Sequence, residues 1–484
     1  MKFVIKLFPE IVVKSKSVRK RFIKLLEGNL RNVLKRVDDS VRVKQTWDKI
    51  DVNCADDLAP ETVERLIEVM CKTPGIDAVQ QVERYQYQSI DDIYQRALVV
   101  YGPLLTDKTF CVRVKRTGKH DFSSLDVERY VGGGLNQNSD AKGVQLKNPD
   151  IEIRLEIAGD TVSMITRQLK GLGGFPIATQ ESVLSLISGG FDSAVSSFQF
   201  IKRGCRVHYC FFNLGGDAHE AGVREMVHLL WSQYGASHRV KFIAVPFDEV
   251  VGDILENVDN GHMGVILKRM MMRAAAQLAD KVGIKALVTG EAVGQVSSQT
   301  ITNLSVIDEV TDHVILRPLI VSDKQDIIDQ ARAIGTQELS ASMPEYCGVI
   351  SNSPTIKADL NRVREEESKL NMGLLNEAVY RAKAEDIRDI MSKPKPQQDV
   401  DIVATLPLHA HVIDVRSDEE VERDPLELSN AFVEHIPFFK LATAFENLDA
   451  NVDYYLYCDR GVMSRLQAIH LTEAGHSNAK VYRP

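Results

Sequence analysis

No apolar run in this 484-residue chain is long enough to cross a bilayer, which excludes a protein built on membrane-spanning helices. The start, MKFVIKLFPE, is broken by Lys6, Pro9 and Glu10 and lacks a small-residue cleavage site. It does not read as a secretory signal, so the expected compartment is the cytoplasm. No C-x-x-C pair occurs among Cys54, Cys71, Cys111, Cys205, Cys210, Cys347 and Cys458, which argues against a zinc knuckle and against a secreted disulfide framework. A disulfide in such a chain is then more naturally a catalytic intermediate than a staple.

What remains is an ordinary folding composition, 44% apolar and 26% charged, with length for about three domains. Charge is unevenly placed. Residues 1–45 hold thirteen Lys and Arg against four Asp and Glu, on a chain of net charge −8. A basic amino terminus on an acidic chain points to a polyanion partner, and Arg113, Lys115, Arg116 and Lys119 add a second basic stretch beside His120. Both stretches could equally be solvated faces.

Along the chain, 2–7 reads as a strand, 18–37 as a basic amphipathic helix and 41–52 as further strand, a small α+β unit. A second α+β module follows, with helices at 61–71 and 90–101, strands at 109–115 and 151–157, and a helix opened by Ser123 or Ser124; it ends near Arg167. From 182 the order becomes strand, helix, strand, helix: 182–187, 194–202, 206–213, 220–234, 240–247, 263–282 and 286–289. Repeated β-α units imply a doubly wound parallel sheet with its site at the carboxyl ends of the strands. A helix at 324–333 and a helical tract from 356 to about 391 precede Lys393-Pro394-Lys395-Pro396, a semi-rigid linker. Strands at 411–415, 435–437 and 454–457 then mark a last α/β domain of about 80 residues.

The densest chemistry lies in Ser188-Gly189-Gly190-Phe191-Asp192-Ser193, between the strand 182–187 and the next helix. Paired glycines turn tightly and approach phosphate oxygens, and the helix amides face the anion. No Gly-Lys-Ser/Thr closes the loop, so it is not a Walker A loop. Ser188, Ser193 and backbone amides would hold a pyrophosphate, as when ATP is cut between its α and β phosphates; the alternative is a glycine turn capped by Asp192 or Ser193. Lys268, Arg269 and Arg273 sit in a helix apolar on nearly every face, where each needs an anion or must snorkel, and Lys268 is a candidate phosphate ligand. Gly290 could admit a base or ribose, and Gln299 could hydrogen-bond a nucleotide; a turn glycine and an exposed glutamine are the alternatives. On spacing alone, Lys324 is as well a surface lysine as the group that steadies a leaving oxygen.

Cys458 follows the strand 454–457 and opens the loop Cys458-Asp459-Arg460-Gly461-Val462-Met463-Ser464 before a helix at 465–474. A ring of amides, a helix amino terminus and Arg460 would favour the thiolate there; the alternative is a buried, inert cysteine at a strand end. Cys347, in Met343-Pro344-Glu345-Tyr346-Cys347-Gly348, gains interest from Cys458, since two thiols on separate domains could exchange sulfur. Cys205 and Cys210 flank a strand and read as core.

Taken together, LSLISGGFDSAVSS, RVHYCFFNLGG, GVILKRMM, ALVTGEAVGQVSSQT, MPEYCGVIS and CDRGVMSRLQA, behind VRVKRTGKHDFSSLDVERYVGGGLNQ, resemble the bacterial tRNA 4-thiouridine synthase family that also serves thiamine biosynthesis, in its long form with a rhodanese-like tail. The resemblance covers essentially the whole chain. It implies an α/β multidomain fold: a ferredoxin-like domain (1–59), a THUMP RNA-binding domain (60–167), a PP-loop ATP pyrophosphatase domain (176–392), a linker (393–403) and a rhodanese-like domain (404–484).

It further implies that ATP, with Mg2+, adenylates O4 of the uridine at position eight of tRNA. A cysteine desulfurase would load Cys458 with a persulfide, and Cys347 would close a Cys347–Cys458 disulfide. By the same resemblance Leu186, Ile187, Lys268, Gly290 and Gln299 match the ATP-contact positions, Asp192 the loop acid and Lys324 the basic residue tied to activation. A second output, to the sulfur-carrier protein of thiazole synthesis, is implied by resemblance alone. Rival readings are an adenylating amide ligase, a thiolase of another tRNA base, and an RNA-binding module with vestigial loops.

Overall fold

The computed structural model describes residues 1–46, 49–214, 216–343, 354–392, 400–416, 418–458, 462–473 and 475–484. Cys347, the loop residues Asp459, Arg460 and Gly461, and the linker core 393–399 lie outside them. The chain forms two compact units, Met1–Gln180 with Ile201–Cys205 and Gln233–His238, and the remainder.

The first unit runs β1 (Lys2–Leu7), α1 (Pro9–Val12), α2 (Lys16–Leu34), β2 (Arg42–Thr46), β3 (Lys49–Asn53), α3 (Pro60–Lys72), β4 (Ile76–Gln86), α4 (Ile90–Tyr101), β5 (Thr109–Thr117), α5 (Ser124–Asn138), β6 (Gly143–Val144), β7 (Ile151–Ala158) and β8 (Thr161–Gly173). The predicted pair of α+β modules shares a single eight-stranded sheet, in the order β2-β3-β1-β4-β8-β7-β5-β6. The long strands β4 and β8 pair antiparallel across the middle and join the two halves. Strand β8 was not expected from the sequence. Its apolar alternation, Val162 and Met164 inward, fades into Thr166, Arg167 and Gln168, so periodicity covers only its first half.

Alternation of side chains decides which face is covered. Phe3, Ile5, Ile50 and Val52 meet Leu26 and Leu30 of α2 and Leu66 of α3, while Phe110, Val112, Ile153 and Leu155 meet Ile93 of α4 and Val131 of α5. Ser89 and Ser123 open α4 and α5 with capping boxes that satisfy the first free amides. Gly134 lets those helices close up, since a Cβ there would lie 2.4 Å from the Tyr94 ring. On the other face Glu156 of β7 takes Lys6 (2.8 Å) and Lys49 (3.1 Å), tying one half of the sheet to the other.

The second unit contains two sheets. Its larger part runs β9 (Val183–Leu186), α6 (Phe191–Lys202), β10 (Val207–Asn213), α7 (Gly216–Leu230), β11 (Lys241–Pro246), α8 (Asp248–Asn257), α9 (Met263–Lys281), β12 (Ala286–Val288), α10 (Ile301–Asp308), β13 (Val314–Leu316), α11 (Lys324–Ala333), α12 (Gln337–Ser342), α13 (Leu360–Glu367), α14 (Met372–Arg381) and β14 (Lys383–Asp386). The strand order β13-β12-β9-β10-β11-β14 is doubly wound about β9, as predicted, and parallel except at one edge. That edge corrects the expected unbroken helical tract: Lys383–Asp386 is a strand antiparallel to β11. Helix α9 lies in the core through Val265, Ile266, Met270 and Ala274, which is why it is apolar on most faces.

The last part, β15 (Ile402–Val403), β16 (Ala410–Asp414), α15 (Asp418–Arg423), β17 (Ala431–His435), α16 (Phe438–Phe445), β18 (Tyr454–Tyr457), α17 (Val462–Glu473) and β19 (Ala479–Tyr482), forms a parallel sheet ordered β15-β19-β18-β16-β17. Here the expected strand at 435–437 is displaced to 431–435. Phe432, Val433 and Glu434 are exposed on an edge strand, so hydrophobic alternation did not mark it. Among the described residues no helix is long and apolar enough to cross a membrane.

Candidate functional sites at two strand ends

The glycine loop leaves the end of β9, the strand at which the sheet order reverses, where doubly wound sheets carry their ligands. Ile187 still donates its amide to Cys210 O at 2.9 Å, and the chain then turns. Gly189 has φ +87°, a conformation that favours glycine. The two loop serines face each other: their Oγ atoms lie 3.2 Å apart, Ser193 Oγ accepts from Ser188 N (3.3 Å) and donates to Gly190 O (3.0 Å), and Ser188 Oγ accepts from Gly190 N (3.4 Å). The loop hydroxyls thus bond to each other and to loop backbone.

Asp192, in the first turn of α6, takes Lys324 Nζ on both oxygens (2.9 and 3.0 Å) and Gln295 Nε2 on one (3.0 Å). Lys324 also lies over the Phe191 ring, 5.7 Å from its centre. Gly290 abuts the same turn: a Cβ there would come within 2.6 Å of the Asp192 carbonyl carbon. Its smallness therefore serves packing of the β12 exit against α6. Gln299 is buried and its Oε1 accepts from Ala292 N at 3.4 Å, so its side chain shapes the 292–299 loop.

Lys268 has the anion its helix demanded. Its ammonium lies 2.8 Å from Glu291 Oε1, and the buried Glu291 also accepts from Arg317 Nε (2.7 Å) and Thr289 Oγ1 (3.1 Å). Burial alone would raise the Glu291 pKa, but Lys268 and Arg317 outweigh it and hold the carboxyl below its usual range.

Three residues at this edge escaped the sequence reading. Glu291 adjoins Gly290, and the search for the partner of Lys268 could have found it. His219 Nε2 lies 3.0 Å from Ser188 O, and burial pushes its pKa down to about 4, so the neutral ring donates to the loop carbonyl. Met343 packs against both Gly189 and Gly222, whose Cβ atoms would lie 2.7 Å from its Sδ and 2.5 Å from its Cε. No local pattern marks a histidine or a methionine for such a place.

The second strand end carries Cys458, buried just beyond β18. Its Sγ receives the amide of Ser464 at 3.3 Å and lies 3.4 Å from Ser464 Oγ, in the first turn of α17. A sulfur anion there meets an amide, a hydroxyl and the positive end of a helix. Beside it, the buried pair Asp414 and Arg416 closes at 2.6 Å, and the guanidinium lies over Tyr457, 5.1 Å from its ring centre. Val415 N donates to Tyr457 O at 3.0 Å, so this pair braces the strand residue before the thiol. Cys205 and Cys210 are buried core residues, as expected. In the first unit Arg113 Nη2 donates to Leu146 O (2.8 Å) and Arg116 Nη1 to His120 O (3.4 Å), while Lys115 and Lys119 are exposed.

A glycine loop at a sheet switch point and a cradled thiol at a second strand end, behind a THUMP-type sheet, define a multidomain protein of the PP-loop sulfurtransferase class. Family models agree: "ThiI ferredoxin-like domain" matches residues 2–79, "THUMP domain" 87–167 and "Thiamine biosynthesis protein (ThiI)" 178–372. The chain is 59% identical to a tRNA sulfurtransferase of Shewanella piezotolerans and 57% identical to one of Tolumonas auensis, each over the full length of both proteins. It belongs to the tRNA sulfurtransferase family. A solved 4-thiouridine synthetase in complex with RNA and ATP shares the fold, with TM-score 0.70 and 24% identity over 80% of this chain and 99% of that one. PH1313 from Pyrococcus horikoshii matches at TM-score 0.53 and 23% identity, over 69% of this chain and all of the other.

Proposed function

We propose that the chain thiolates tRNA, replacing O4 of the uridine at position eight by sulfur at the expense of ATP. The observation that carries this reading is the Cys458 thiol, held at 3.3 Å by the Ser464 amide, on the same chain as a glycine loop whose Asp192 holds Lys324. In this reading ATP binds with its pyrophosphate against Ser188, Gly189, Gly190 and Ser193, and with Leu186, Ile187, Lys268, Gly290 and Gln299 around the nucleotide. Mg2+ would arrive with the triphosphate, on phosphate and water oxygens. O4 attacks the α-phosphorus, pyrophosphate leaves, and Lys324 steadies the charge that develops beside Asp192. Adenylation is needed because the oxygen at C4 is a poor leaving group.

Cys458, loaded as a persulfide by a cysteine desulfurase, supplies the sulfur nucleophile. The terminal sulfur bonds to C4 and AMP departs. Cys347 then attacks Cys458 Sγ, the S–S bond to the transferred sulfur breaks with its electron pair going to that sulfur, and a Cys347–Cys458 disulfide remains for a dithiol reductant to reopen. The first unit supplies phosphate contacts through α2 and through Arg113, Lys115, Arg116 and Lys119 of the THUMP-type half. Transfer of the same sulfur to the sulfur-carrier protein of thiazole synthesis, and a cytoplasmic location, belong to this reading.

The test is incubation with unmodified tRNA, Mg-ATP, cysteine and a cysteine desulfurase, followed by digestion and mass analysis of uridine, beside Cys458→Ala. An oxygen-to-sulfur mass change that requires Cys458 is expected. AMP release without thiolated uridine would leave the adenylating site and remove the sulfur acceptor.

A further inference from the structure

In a chain where a quarter of the residues are charged, the stretch 292–307, AVGQVSSQTITNLSVI, carries no charge at all. It nevertheless reaches the surface: Val293 (46%) and Val296 (49%) are about half exposed, and Ile301 is 73% exposed. Ile356 (67%) and Val321 (90%) are exposed as well. These side chains belong to one place. Val293 N donates to Ile320 O at 3.0 Å, one residue from Val321, and Thr300 Oγ1 donates to Ile356 O at 2.8 Å. Gln295, between Val293 and Val296, reaches Asp192, which holds Lys324 just beyond Val321.

The rim is also stiff. Asn303, fully buried, donates to Ser297 O and Thr355 O at 2.8 Å each and accepts from Ala358 N at 2.8 Å, so one amide clamps both segments. Gly294 N closes the loop on Gln299 O at 3.1 Å. Branched apolar side chains fixed in water around a polar centre are costly unless something covers them.

We infer that this neutral rim, Val293, Val296, Ile301, Val321 and Ile356, receives nucleobases of the RNA that have left their stack, next to the uridine activated at Asp192 and Lys324. The inference rests on the function proposed above. A base cannot present its exocyclic oxygen to a pocket while stacked and paired, so it must be extruded, and its neighbours need apolar cover where the stack opens. The absence of charge fits base faces and not phosphates, for which the free cations of α2 are suited.

The test uses the full chain and a tRNA transcript with a fluorescent base analogue beside the target uridine, brighter when unstacked. Wild-type protein should raise its emission severalfold. The triple variant Val296→Asn, Ile301→Asn, Ile356→Asn should abolish the rise and lower kcat/KM for thiolation by about tenfold or more, with tRNA affinity within about threefold because phosphates carry it. Ile301→Val should keep both readouts, and unchanged KM for ATP in the triple variant reports an intact nucleotide site. An emission rise and kcat/KM that survive in the triple variant would overturn the rim. A wild-type protein that never thiolates uridine would instead overturn the function on which it rests.

Discussion

Helices α2 and α9 are each nineteen residues long and each carry several cations, and the protein treats those cations in opposite ways. On α9 every cation named from the sequence has a carboxylate: Lys268 meets Glu291 at 2.8 Å, Arg269 meets Glu367 at 2.6 Å and Glu309 at 3.1 Å, and Arg273 meets Glu367 at 3.3 Å. On α2, Lys16, Lys20 and Lys24 form an exposed row at four-residue spacing, with no carboxylate in ion-pair range among the described residues. Charge in a sequence is thus ambiguous until partners are known. Arg269, the buried cation of α9, is spent on the fold, and the free row on α2 is available to an outside anion.

The largest effect should come from breaking the buried side of this comparison. Arg269 is fully buried, and its guanidinium also donates to Val306 O. Arg269→Met should destabilise the second unit by about 3 kcal/mol, because it removes the main partner of the nearly buried Glu367 and leaves it only Arg273 at 3.3 Å. Urea unfolding followed by tryptophan fluorescence and far-UV dichroism would measure it. Adding Glu367→Leu should recover part of the loss, since removing both charges is less costly than removing one. A single variant as stable as wild type would mean that α9 does not depend on its pairs.

Reversing the free row is the complementary experiment. Lys16→Glu, Lys20→Glu and Lys24→Glu together should weaken tRNA binding by about tenfold to a hundredfold at moderate salt and flatten the salt slope by about three. Unfolding free energy should move by less than about 0.5 kcal/mol, as for exposed positions in general. Stability loss without a change in slope would reverse the assignment of α2.

A third experiment sharpens the contrast inside the first unit, where Lys6 and Lys49 do have a partner. Burial works against ionising Glu156, but these two ammonium groups prevail and its pKa falls to about 2 from 4.5. A depressed carboxylate contributes stability above its unfolded pKa and loses it as pH falls from about 4.5 towards 2. Glu156→Gln should therefore remove about 1–2 kcal/mol at pH 7, discounting for partial solvent exposure, and little at pH 2. Thermal melts across pH 2–7 would show the two curves converging at the acid end.

Much of this architecture was legible because local patterns coincide with tertiary roles. The strand 454–457, the helices 90–101 and 324–333 and the loop between β9 and α6 agree with their sequence readings, each being bounded by a strong cap, turn or glycine signal. What escaped depends on contacts far apart in sequence. Strand β14 is hydrophilic and gains its conformation only by pairing with β11. Glu367 and Arg269 are 98 residues apart, and His219 meets Ser188 across 31, distances over which no periodicity operates. The candidate site was readable as residue types, Asp192 and Lys324 among them, but their pairing over 132 residues was not.

The smallest expected effect tests the comparison within α2 itself. Its last turn holds one neutralised cation, Arg31, whose Nη2 lies 2.8 Å from Glu27 at i,i+4 spacing. Exposed pairs of this kind stabilise a helix by only about 0.3–0.5 kcal/mol, so Glu27→Ala should shift unfolding by no more than that. Binding should respond with the opposite sign. Removing Glu27 deletes an anion and frees Arg31 on the helix that carries the Lys16, Lys20 and Lys24 row, so tRNA affinity should rise by about twofold to threefold and the salt slope should steepen by up to about one. A slope unchanged in Glu27→Ala, in titrations from low to moderate salt, would confine the phosphate contacts to the first half of α2.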